Sequence, residues 1–98
     1  MKAIKELTDW MSEEIESAKD YAEKYLALKV KGNRWAEKFK SMAEDELKHA
    51  NVLHDYTVEE IKDLRAIYTP PAEMLEKWDK AHAKYVERAA WVKQMLTM

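Results

Sequence analysis

Backbone punctuation is almost missing from this chain. In 98 residues there is one glycine, Gly32, and there are two prolines, the adjacent Pro70 and Pro71. A sheet protein needs many tight turns, and turns draw on these residues for backbone angles that others resist. Two breaks leave room for only three long segments. Period-two alternation of apolar and polar residues is also absent, so the fold class is all-α.

The breaks carry helix-end chemistry. Gly32 suits the left-handed conformation that terminates a helix, and Asn33 suits the cap of the next. Thr69 followed by Pro70 reads as a helix start, with threonine capping and proline in the first turn. The expected helices run over about 2–31, 33–68 and 70–97 of a single domain, residues 1–98. Thr57-Val-Glu-Glu60 also matches a capping box and offers a break near Tyr56. The lack of glycine and proline between Asn33 and Tyr68 favours one continuous helix.

Each segment carries an apolar stripe at alternating three- and four-residue spacing, the pattern of helices packed along one another. In the first the stripe is Ile4, Leu7, Met11, Glu14, Ala18, Tyr21, Tyr25 and Leu28. In the second it is Trp35, Phe39, Met42, Glu46, His49, Leu53, Tyr56, Glu60, Leu64 and Ile67, with a flanking row of Ala36, Ala43, Leu47, Ala50, Val58 and Ile61. In the third it is Leu75, Trp78, His82, Tyr85, Ala89, Val92 and Leu96. The expected architecture is three long helices in an antiparallel up-down bundle. A core shared by so few residues is small, and dimerisation is a natural way to complete it.

Composition excludes several functions. Net charge is −2, and the 37% of charged residues mix both signs. A nucleic-acid backbone binder would need a basic stripe, and the only basic run, Lys29 to Arg34, is short and interrupted. The expectation is no nucleic-acid and no membrane partner. Without cysteine there is no disulfide, thiolate ligand or cysteine nucleophile. No run is long enough to span a bilayer, and the first ten residues lack the apolar core of a signal peptide. A cytoplasmic protein is expected.

Four of the polar residues on the stripes are Glu14, Glu46, His49 and His82. Buried charges are tolerated when paired or bound to metal. Glu46 and His49 form E-x-x-H, which puts both side chains on one helix face. Asp79 and His82 repeat the spacing with a shorter carboxylate. The candidate metal ligands are therefore Glu14, Glu46, His49, Asp79 and His82, a donor set suited to iron or manganese. Taken singly, each has a plainer meaning. E-x-x-H is frequent on charged helices, Glu14 lies in the acidic run Glu13-Glu14-Ile15-Glu16, and Asp79 can pair with a lysine. His54, off the main stripe, is expected at the surface. Alignment on three separate stripes is what joins the first four.

On E-E-I-E-S-A-K-D-Y in the first segment and A-E-D-E-L-K-H-A in the second, the chain resembles the ferritin-like superfamily, in particular rubrerythrin-type and short encapsulated ferritin-like proteins. Glu14 and Tyr21 match the family's glutamate and the tyrosine seven residues later, and Glu46 and His49 match its E-x-x-H. The resemblance covers about two-thirds of the chain. It implies an iron cofactor, with a di-iron site as the family form and manganese or zinc as other occupants. It also implies oxidation of ferrous iron by oxygen or peroxide. Glu46 and Glu14 would bridge metals, and His49 would be a terminal ligand. Tyr21 would be the catalytic-site tyrosine, bonding a ligand or carrying an electron. The chain departs from the family in having three helices rather than four and no E-x-x-H in the third. A homodimer or higher homo-oligomer sharing the site is the arrangement implied, with His82 behind the ligands or joining them. The competing reading is a non-enzymatic helical assembly or adaptor module, such as a virus or mobile element encodes, whose inward Glu and His only set helix register.

Overall fold

A computed structural model describes residues 2–98, with side chains from Ala3 onward. The described residues form three helices and no strand: α1 (Lys2–Val30), α2 (Ala36–Ile67) and α3 (Ala72–Leu96). They make a helical bundle shaped as a rod of 55 × 17 × 17 Å. None of the helices is long and apolar enough to cross a membrane.

Gly32 does adopt a positive φ, 64°, and closes the α1–α2 turn. Its amide donates to the Lys29 carbonyl, and the Asn33 amide donates to that of Leu28. Asn33 differs from expectation in its position. Its Oδ1 accepts from the Trp35 amide at 2.8 Å, and Trp35 is the residue at which α2 begins, without a side-chain cap. The second break is also shifted. Pro71, not Thr69, stands at the cap of α3, so Pro70 lies outside the helix and is buried. Proline fixes φ without donating an amide, so an N-terminus can begin on it with no hydroxyl cap.

α2 runs unbroken past Thr57. That residue is fully buried, and its Oγ1 donates to the Leu53 carbonyl at 2.6 Å. A threonine bonded to the carbonyl four residues back belongs to a helix interior, not to a cap. Thr8 does the same to Ile4 at 2.7 Å.

The deepest rows differ from the stripes read in the sequence by one flank. On α1 the buried residues are Ile4, Leu7, Thr8, Met11, Ile15, Ala18, Ala22 and Tyr25. The shared spine, Ile4-Met11-Ala18-Tyr25, is as expected. Ile15 and Ala22 flank it inside, whereas Glu14 and Tyr21 flank it on the half-buried edge. On α2 the deepest row is Ala36-Ala43-Ala50-Thr57, one small residue every seven positions. Small side chains there let two helices approach closely, because interaxial distance follows side-chain size. The row Trp35-Met42-His49-Tyr56 is turned out to solvent.

α1 is the central helix: it packs along α2 and carries α3, while α2 and α3 touch least. On α3 the residues buried are Tyr85, Ala89, Val92 and Met95. Arg88 Nε donates to Glu16 at 2.5 Å and Lys77 pairs with Asp9 at 2.8 Å, so both ion pairs tie α3 to α1. The Tyr85 hydroxyl donates to Asn51 of α2 at 2.9 Å.

Candidate metal centre

Glu14 reaches its edge from the middle of α1, and Glu46 and His49 reach the same edge from the middle of α2. Their neighbourhood follows from the α1–α2 pairing: Tyr21 meets Phe39 at one level, and Glu14 meets Glu46 and His49 at the next. His49 Nδ1 lies 3.8 Å from Glu14 Oε2 and 3.7 Å from Glu46 Oε1. One ligand atom from each of the three falls within 4.8 Å of the others, and among the described residues no other His, Asp or Glu group converges in this way.

These distances can be tested against coordination geometry. Nitrogen and oxygen ligands sit roughly 2.0–2.2 Å from a first-row ion, so adjacent donors lie about 3.0–3.5 Å apart. The two spacings from His49, 3.8 and 3.7 Å, are a few tenths of an ångström longer, and all three donors fall within 4.8 Å of one another. Two carboxylates and a neutral imidazole carry two negative charges, and a divalent cation offsets them. The donors are hard oxygen and imidazole nitrogen, as iron, manganese and zinc accept. Exposure is the qualification built into the geometry. The side chains of Glu14, Glu46 and His49 are 32%, 24% and 59% exposed, so this edge is not enclosed by its own chain.

The remaining candidates lie elsewhere. Tyr21 is two turns along α1 from Glu14, about 10 Å of axial rise. Its ring meets Phe39 at 6.1 Å between centroids. His82 of α3 stacks on His54 at 5.0 Å and lies against Trp78 at 5.3 Å. Asp79 lines a separate shallow cleft with Val58, Ile61, Lys62, Arg65 and Trp78. The structure therefore does not gather Asp79, His82 or Tyr21 with the three-residue group.

His54 corrects an expectation. It is half-buried, stacked at 4.8 Å on Tyr85 as well as on His82, with Nδ1 2.9 Å from Asp55 Oδ1. The signal was present in the spacing. His54 is seven residues after Leu47 and seven before Ile61, which puts it on the flank that faces α3. The Tyr85 hydroxyl in this cluster has its pKa pushed up, first by burial and then by the nearby Asp55 carboxylate.

Comparison of the chain with protein-family models, with curated proteins and with solved structures found no match.

Proposed function

We propose that Glu14, Glu46 and His49 bind iron on the open edge of an antiparallel, ferritin-like up-down-up bundle, and that a second copy of the chain completes the site. The observation that carries this reading is the convergence of three metal-type donors from two helices within 4.8 Å.

Ligand number argues for the second copy. Three donors leave a first-row ion with open positions. Twice this set is four glutamates and two histidines, the inventory of carboxylate-bridged two-metal sites in helix bundles. The edge also presents Trp10, Met42 and Tyr56 to solvent, apolar surface that a partner would cover. At such a site the glutamates hold and bridge the ions, and His49 fixes one coordination position. Bound iron would supply ferrous-to-ferric redox chemistry towards oxygen or peroxide. Manganese and zinc suit the same donors, and which ion loads best is a matter for competition.

A register-lock module is the second reading, and the exposure of His49 is what bears on it. Charge pairs this open to water contribute only about 0–1 kcal/mol, too little to hold helices of 29 and 32 residues in register. Small-residue packing along Ala36-Ala43-Ala50 does that without them. The test is the double variant Glu46→Ala with His49→Ala. Loss of iron binding with unchanged helicity supports the metal reading. Retained metal, or altered helix pairing, moves the assignment to the module.

A further inference from the structure

The hairpin end of the rod concentrates positive charge. Between Lys24 and Lys40 there are six cations and one carboxylate, Glu37. This segment therefore carries +5, and since the whole chain carries −2, the other residues carry −7. In the sequence, Lys29 to Arg34 is a short, interrupted basic run, and on that run alone no membrane partner is expected. Folding adds to it. The α1–α2 turn brings Lys40 back beside Lys29, and both lie over the Tyr25 ring, at 5.6 and 5.8 Å. The Lys29 ammonium donates to the Met98 carbonyl, which puts the last turn of α3, with Lys93, at the same end.

This end is also apolar at its apex. Val30 is 87% exposed and Trp35 is 52% exposed, both among the cations, and Met98 is exposed beside them. Arg34 lies over the Trp35 ring at 5.6 Å. Arg34, Trp35 and Lys38 line a shallow cleft of about 320 Å³, two cations against an aromatic wall. The turn that presents them is held by its own backbone bonds and by Asn33.

From this arrangement we infer that the hairpin end docks on an anionic lipid surface, with Arg34 and Lys38 receiving a headgroup phosphate and Trp35 and Val30 seated among the headgroups. Size decides against a protein partner. The rod is only 17 × 17 Å across its end, a narrow face for a standard interface, which takes about 800 Å² from each partner. A lipid surface needs no minimum area, because each cation and each inserted side chain contributes separately. A duplex backbone would use the cations but has nothing for exposed Val30. Tryptophan beside lysine and arginine is the composition of membrane–water interfaces. The −7 on the other residues is repelled by the same surface, so the rod stands on its end. This inference does not depend on the metal reading.

The test is co-sedimentation of the full chain with phosphatidylcholine vesicles, with and without phosphatidylserine, at low and at physiological salt. Retention is expected to be at least ~10-fold greater on the anionic vesicles and to weaken with salt. Lys31→Glu with Arg34→Glu should abolish the preference, and Trp35→Ala should reduce retention severalfold. Lys62→Glu, at the opposite end of α2, should leave it unchanged. Equal retention on both vesicle types overturns the inference, as does a preference that survives the double reversal or is lost equally in Lys62→Glu. Tighter retention on a duplex oligonucleotide than on anionic vesicles also overturns it and reassigns the tip to nucleic acid. Helical circular dichroism of each variant separates lost binding from lost folding.

Discussion

Glu14 stands one residue before Ile15, and that step decides what each side chain meets. Both flank the same spine, but Ile15 is buried in the core and Glu14 lies on the half-buried edge. The sequence cannot distinguish these flanks, because either completes a three-four stripe with Ile4, Met11, Ala18 and Tyr25. What separates them is the position of α3, whose Tyr85, Ala89, Val92 and Met95 join the core from a segment distant in sequence. The E-x-x-H pair, by contrast, was legible, since helical spacing alone puts Glu46 and His49 together. Replacing both with alanine should leave thermal stability within a few degrees of the parent, because exposed charge pairs contribute about 0–1 kcal/mol. A fall of far more than that, followed by circular dichroism, would mean that these residues hold the fold. Tyr85 offers a pH test. Burial raises its pKa in the folded chain. The unfolded chain therefore loses the phenol proton first as pH rises through about 10. Tyr85 then adds a loss of stability above that pH, and the loss is complete only above the raised folded value. In Tyr85→Phe the alkaline fall in urea midpoint should be shallower, with no change in this respect at neutral pH.

At the level of elements, the three helices and the continuity of α2 through Thr57 follow from the missing glycines and prolines. Their caps do not, because Asn33, Thr69 and Pro70 were each assigned a position two residues or so too early. A cap depends on where the preceding turn ends, and the turn geometry around Gly32 was not fixed by residue type alone. The deep row of α2 was visible as a flank of alanines but looked subordinate to the larger Trp35-Met42-Tyr56 row. Large apolar residues attract attention, yet close helix pairing selects small ones. Ala43→Leu or Ala50→Leu should therefore force α1 and α2 apart and destabilise the chain by about 1–3 kcal/mol. Urea unfolding measures this, and a neutral effect would contradict the close-packed seam. Arg88→Ala, which removes the half-exposed bridge to Glu16, should lower stability by no more than about 1 kcal/mol.

The molecule as a whole is a rod with one uncovered edge and one positively charged end. Its small core and its exposed Trp10, Met42 and Tyr56 are what a second copy would share. Met42→Asp puts a charge on this edge without replacing a proposed ligand. It should keep helicity, shift the sedimentation profile to monomer and lower metal content together. A variant that stays dimeric with full metal content would separate the edge from the site.

Glu14, Glu46 and His49 are proposed to hold metal between two copies. The most direct measurement is elemental analysis of chain purified without chelator and then supplied with ferrous iron, with molecular mass determined on the same sample. About one iron per chain on a dimer or larger assembly is expected, since two copies supply one two-metal ligand set, and none in Glu46→Ala with His49→Ala. Iron at background level in the folded, unaltered chain would contradict it.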